Sequence, residues 1–93
     1  MARLTDAEIA QRLEGGAWRR EGDAIVRDLR FRDFAAAIAF INRVAERAEE
    51  AGHHPNILVH GWNKVRLTLS THSEGGLTAA DFALAEQLDA LID

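Results

Sequence analysis

Two short stretches gather side chains that can move protons near neutral pH. One is GHHPN, where His53 and His54 stand side by side before Pro55, the single proline of the chain. The other is STHSEGGLT, which carries His72. These are three of the four histidines present, and an imidazole, with an ordinary pKa of about 6.5, both gives and takes a proton at physiological pH. Two or three in one cleft suit a reaction that needs an acid and a base together. A plainer use is that His53 and His54 close the C-terminus of a helix, where a cationic ring is favoured and Pro55 stops the helix. A metal would be a third use. Against it, adjacent histidines seldom reach one ion, the i, i+4 pairing of an HExxH helix is missing, and no cysteine is available as a ligand. His60 falls in an expected strand and reads as an exposed strand residue. Asp81 also has a structural use: three residues after Thr78, it completes a capping box.

For these imidazoles to meet, the chain must fold back on itself. Thr5 and Glu8 form a capping-box pair with Leu4 and Ile9 as a hydrophobic staple, predicting a helix from Asp6 to Glu14 that Gly15-Gly16 ends. AWRR and AIVRDLRF flank Glu21-Gly22-Asp23 and predict a first hairpin. Asp33 is an N-cap for the main helix, whose apolar stripe is Phe34, Ile38, Ile41, Ala45 and Ala48, widened by Ala37, Phe40 and Val44, and which ends near Gly52. NILVH and KVRLTLST, joined at Gly61-Trp62-Asn63, predict a second hairpin. Thr78 then caps a last helix with Phe82, Ala85, Leu88 and Leu91 or Ile92 as its apolar face. The order α-β-β-α-β-β-α implies an α+β fold: a four-stranded antiparallel sheet with three helices packed on one face. The second hairpin sets the start of its first strand beside the end of its second, so His53, His54 and His72 are expected to fall together.

At 93 residues the chain is expected to be a single domain, 1–93, with one core. A formal charge of −4, with arginines interleaved among acids, argues against a nucleic-acid surface. The polar start MARLTDAEIA gives no signal-peptide core and the run FAAAIAFI is too short to cross a bilayer, so no membrane partner and a cytoplasmic setting are expected. There is no Gly-x-Gly-x-x-Gly, phosphate loop or serine elbow to support nucleotide or acyl-transfer chemistry.

His53-His54-Pro55, the aromatic-x-x-Val of Trp62-Asn63-Lys64-Val65, Thr71-His72, Gly76-Leu77-Thr78 and Asp81, followed by Leu84-Ala85, form an ordered set. With Trp18, Glu21-Gly22, Phe31, Asp33-Phe34, Phe40, Arg43-Val44-Ala45 and Glu49 upstream, the set resembles the pterin-4a-carbinolamine dehydratase family along nearly the whole chain. The resemblance implies the same α+β fold, assembled as a homodimer or homotetramer. It implies dehydration of a 4a-hydroxytetrahydropterin, left by an aromatic amino acid hydroxylase, to a quinonoid dihydropterin in tetrahydrobiopterin recycling, with no metal or organic cofactor. The family's essential histidines map onto His53, His54 and His72. His53 and His72 are assigned to proton transfer and His54 mainly to holding the substrate hydroxyl. Asp81 and Glu49 match positions near the pterin pocket, where carboxylates hydrogen-bond amino and ring N–H groups; Thr71 and Trp62 are carried over as substrate-binding positions. Trp62 stands where tyrosine is common in the family, Gly52 where some members carry an acid, and Ala80 where some carry a base. The alternative function is a non-catalytic binding or assembly module on the same scaffold, since members also stabilise transcription-factor dimers and relatives without the histidines act as assembly factors.

Overall fold

The structure, a computed structural model, describes residues 2–92. Its elements are α1 (Asp6–Leu13), β1 (Arg19–Glu21), β2 (Ala24–Arg30), α2 (Phe34–Ala51), β3 (Asn56–His60), β4 (Lys64–Leu69), a 3-10 turn (His72–Glu74) and α3 (Ala79–Asp89). The expected α-β-β-α-β-β-α order and α+β class are those of the molecule. The strands form one antiparallel sheet in the order β1-β2-β4-β3. Ile25 faces Leu69, Arg27 faces Leu67 and Leu29 faces Val65, so the alternating apolar residues of both central strands point the same way.

That side is covered by the helices. Ile9 of α1, Ala37, Phe40 and Val44 of α2, and Leu84, Ala85 and Leu88 of α3 close over Ile25, Val65, Leu67 and Leu69 in one core. Phe31 packs on Phe40 with ring centroids 5.0 Å apart. The opposite face is polar: Asp28 accepts from Arg66 Nε and Arg19 Nη1, both at 2.8 Å. Asp89, at the end of α3, accepts from Trp18 Nε1 (2.8 Å) and Arg27 Nη1 (2.7 Å), which fastens that helix to the first hairpin.

Two buried faces and one boundary differ from the sequence expectation. The face of α2 is turned: Ala37, Phe40, Val44 and Ala48 are its buried residues, whereas Phe34 and Ala45 are exposed and Ile38 and Ile41 half-buried. The buried positions follow the i, i+3, i+7 row nearest the sheet, and the larger side chains fall on its flank. On α3, Asp81 and Leu84 are buried with Ala85 and Leu88, while Phe82, Leu91 and Ile92 pack at the margin. Finally, β4 stops at Leu69, where its partners run out: β2 contributes nothing beyond the Ile25 pair and β3 nothing beyond the Asn56 pair. Thr71 leaves the ladder and bridges Gly76 instead. Among the described residues no helix is long and apolar enough to cross a membrane.

Candidate active site

The end of α2 is where the histidine pair begins. Gly52 adopts a left-handed conformation (φ 63°), which glycine accepts without the Cβ clash that penalises other residues. The turn is closed by backbone groups: Gly52 N–H and, at 3.2 Å, His53 N–H donate to the carbonyl of Ala48. The peptide chain therefore caps the helix, and both imidazoles are left for other partners.

His53 turns inward. Its Nε2 lies 2.6 Å from Oδ1 of Asp81, whose carboxylate is 0 % exposed. Burying a carboxylate is costly unless its oxygens are hydrogen-bonded, and here they are. Oδ2 accepts from the Thr71 hydroxyl (2.8 Å) and from the backbone N–H of Thr78 (2.9 Å). The second of these belongs to the capping box of α3. Because Thr71 gives its hydrogen to Asp81, the 3.0 Å contact between the Thr71 and Thr78 hydroxyls must run from Thr78 to Thr71. Thr78 Oγ1 accepts in turn from Ala80 N–H at 3.2 Å. A directed chain thus runs from the first turn of α3 through two hydroxyls to Asp81 and His53. An acceptor-only carboxylate holds the hydrogen of His53 on Nε2 and leaves Nδ1 to exchange a proton with a bound molecule, the orienting logic of a histidine–carboxylate pair.

The other expected site residues are arranged around this core with different degrees of closeness. His54 turns outward, its Nε2 3.3 Å from Glu49 Oε2, and both side chains are largely exposed at 61 % and 78 %. His72 follows Thr71 directly and opens the 3-10 turn closed by Gly75 (φ 70°). It is exposed and lines a shallow depression of about 240 Å³ with Asp23, Ala24, Ser70, Gly75 and Gly76. The hydrogen-bonded cluster thus holds one imidazole, His53; His54 pairs with Glu49, and His72 is tied in only through its neighbour Thr71. Trp62 lies in the β3–β4 turn, at the opposite end of the hairpin from His53. Asp81, expected to hydrogen-bond a pterin directly, is buried with both oxygens engaged by protein groups, and His53 is its contact on the side of the histidines. The role of Thr78 in the cluster went beyond its reading as a cap, although the Thr78-x-x-Asp81 spacing was its signal.

Larger hollows lie elsewhere. One of about 430 Å³ runs between α1 and α3 past Arg12, Trp18 and Phe82, and one of about 480 Å³ is bordered by Arg30, Arg32 and Arg43. Neither is lined by a histidine, and a third of about 300 Å³ is lined by His60 beside Asp28, Lys64 and Arg66; none of the three includes His53, Asp81 or His72, so the histidine–carboxylate cluster, not the largest hollow, is the candidate site. Among the described residues no group of three or more His, Asp or Glu side chains is gathered as a metal ion would require.

An α+β scaffold buries a carboxylate behind a histidine at the junction of two elements, an arrangement whose chemistry suits acid–base work. The chain belongs to the pterin 4 alpha carbinolamine dehydratase family, whose family model matches residues 2–91. It is 55% identical over 89 residues to a protein of Thermomicrobium roseum, covering 95% of each chain, and 50% identical over 93 residues to one of Acidobacterium capsulatum, covering 99% of this chain and 100% of the other. Both relatives are provisionally named pterin-4-alpha-carbinolamine dehydratase. Among solved structures, the crystal structure of a transcriptional coactivator/pterin dehydratase from Brucella melitensis superposes with a TM-score of 0.91 at 35% identity, covering 98% of this chain and 99% of the other. A pterin dehydratase-like protein identified as a RuBisCO assembly factor in the alpha-carboxysome superposes with a TM-score of 0.68 at 32% identity, over 83% of this chain and 90% of the other.

Proposed function

We propose that the protein dehydrates a 4a-hydroxytetrahydropterin to the quinonoid dihydropterin, as a 4a-hydroxytetrahydrobiopterin dehydratase acting in the cytoplasm after an aromatic amino acid hydroxylase. The observation that carries this reading is the 2.6 Å bond between His53 Nε2 and the buried carboxylate of Asp81. Two protons must move in the reaction. The bond from carbon 4a to oxygen breaks and the hydroxyl leaves as water with a proton from an acid, while the N5 electron pair forms the new carbon–nitrogen double bond. N5–H then gives its proton to a base, so water is lost and the oxidation state is unchanged. In this reading His53 and His72 carry those protons, and Asp81 with Thr71 orients His53. His54, beside Glu49, holds the departing hydroxyl.

Purified protein is expected to accelerate loss of the 4a-hydroxy chromophore in a coupled hydroxylase assay, above the spontaneous rate and equally in the presence of a chelator. Activity that disappears with the chelator and returns with zinc would overturn the mechanism. A homodimer or homotetramer is part of the proposal, because open sheet edges and an exposed Phe34 on α2 invite a second copy. A binding or assembly role on the same scaffold is the second reading, favoured by the description of the alpha-carboxysome neighbour as an assembly factor. A protein that folds and assembles but leaves the spontaneous rate unchanged would select it.

A further inference from the structure

On the face of the sheet turned away from the helices, charge is balanced at the centre. Asp28 is shared there by two guanidiniums: Arg66 meets it through Nε at 2.8 Å and Nη2 at 3.4 Å, and Arg19 through Nη1 at 2.8 Å. One row along, at the end of the strands nearest the β3–β4 turn, that balance fails. Arg30 of β2 is the direct partner of Lys64 of β4, and Lys64 is the direct partner of His60 of β3. Residues opposite one another in a ladder point to the same face, so three bases stand side by side across three strands. β1 pairs with β2 only through Ala24, Ile25 and Val26 and brings no acid to this row. None of the three bases has an ion-pair partner among the described residues. Like charges directly opposite destabilise a sheet, yet Arg30 and Lys64 are set that way in a chain whose formal charge is −4.

The row is also hollowed. Arg30, Lys64 and His60, with Leu29 and with Asp28 and Arg66 of the next row, line the depression of about 300 Å³. Neighbouring strands lie about 4.8 Å apart, so the outer bases start about 10 Å from each other with Lys64 between, a span that long side chains can close around one small ion. Lys64 is steered by its own turn: its Cδ and Nζ lie 3.6 and 3.7 Å from where a Cβ at Gly61 would stand, so the side chain rests against the glycine. Arg66 is held by its fork to Asp28, which leaves Nη1 without a protein acceptor among the described residues. We infer that this end of the open sheet face is an anion site that binds a phosphate group, as the free ion or as a phosphate monoester. Arg30, Lys64 and Arg66 supply the charge and His60 a further ring N–H. Two planar guanidiniums and one ammonium are the donor set that phosphate oxygens match, and the one acid lining the hollow, Asp28, is already committed to Arg66 and Arg19. Leu58, exposed and opposite Arg66, gives the organic part of an ester an apolar surface. The site is separate from the His53–Asp81 cluster, because the five residues of β3 lie between them, about 17 Å of extended chain. The inference therefore stands apart from the reaction carried out at His53.

Titration of the wild-type protein with inorganic phosphate and with phenyl phosphate, each exchanged for chloride at constant ionic strength, can be followed by backbone amide shifts. Saturable shifts confined to residues 28–30, 60 and 64–66 are expected. Tighter binding of phenyl phosphate assigns the site to an ester, and equal binding assigns it to the free ion. Arg30→Gln and Lys64→Gln should each weaken binding about tenfold, the loss of one charge-assisted contact, whereas Lys64→Arg should retain it. Thermal melts give a second reading whose sign changes between two buffers. In dilute chloride both glutamine variants should melt at or above the wild-type temperature, because a repulsion has been removed. In phosphate the wild type should melt higher, because it alone gains the full binding free energy. The general exclusion of phosphate from protein surfaces stabilises every variant alike, so the crossover isolates the site. Shifts that spread over the surface without saturating, or equal stabilisation of the wild type and both glutamine variants by phosphate, overturn the inference. Shifts centred on His53 or His72 overturn it as well, by placing the anion at the candidate active site.

Discussion

Replacing Asp81 by asparagine separates the helix-capping use of this residue from its action on His53. The amide is isosteric with the carboxylate but has one acceptor oxygen and one donor nitrogen. The Thr78 N–H and the Thr71 hydroxyl converge on one oxygen at 2.9 and 2.8 Å, so the amide oxygen must stay there and the NH₂ must face His53. That reverses the polarity of the 2.6 Å contact. Nε2 has to accept, the ring hydrogen moves to Nδ1, and the nitrogen offered to a substrate becomes a donor with no free pair. The capping bonds survive, so the stability cost is the difference between a charge-assisted and a neutral hydrogen bond, about 1 kcal/mol. For a chain of this size that lowers Tm by about 4–8 °C. The proton-transfer cost is larger: losing a general acid–base group lowers kcat by roughly 10²-fold or more. Steady-state dehydration with the spontaneous rate subtracted measures the second effect, and ¹⁵N shifts of the His53 ring report the tautomer without relying on turnover. Wild-type kcat in an Asp81→Asn protein whose His53 hydrogen has moved to Nδ1 would refute the reasoning, and an unmoved hydrogen would refute its first step.

His53→Ala and His72→Ala should each lower kcat by roughly 10²-fold or more, whereas His54→Ala should act mainly on KM; equal kcat losses in all three would remove the division of roles. Gly52→Ala places a Cβ where nothing lies within 4 Å, so its cost is conformational alone, about 1–2 kcal/mol for a left-handed residue. A thermal melt should show the loss, and unchanged stability would mean that the turn had rearranged. Hydrogen bonds from Arg66, then Arg19, hold the Asp28 carboxyl below its ordinary value. The stability this contributes is complete above the ordinary carboxylate range and is lost as pH falls through the depressed value. Wild-type protein should therefore lose stability more steeply than Asp28→Asn below about pH 4, while parallel denaturation curves down to pH 2 would contradict that linkage.

The elements were legible because their signals are local. Thr5, Asp33 and Thr78 cap the helices they were expected to cap, and Val65, Leu67 and Leu69 alternate inward as their spacing requires. What pattern could not supply was the third dimension. On α2 every third or fourth residue is apolar over a wide arc, so periodicity alone does not say whether Phe34 or Ala37 meets the sheet; the packing of Phe40 against Phe31 decides it. The end of β4 depends on how far its two neighbours extend, a property of other segments. Asp81 had two sequence readings, cap and site; the structure shows the cap, and the same carboxylate also meets His53 and Thr71 because it has enough lone pairs for three donors. His54, His72 and Trp62 were picked out by type and order, yet their distances from His53 follow from tertiary placement that no local spacing encodes.

The shared carboxylate also ties motion to chemistry. Because Asp81 closes the first turn of α3 and grips His53 at once, that turn cannot fray without releasing the imidazole. Local opening at Thr78–Asp81 and disorder at His53 are then a single event with a single free energy. Amide hydrogen exchange at the start of α3 becomes a direct gauge of how often the histidine is aligned, and a ligand that locks the ring should slow exchange in a helix it never touches.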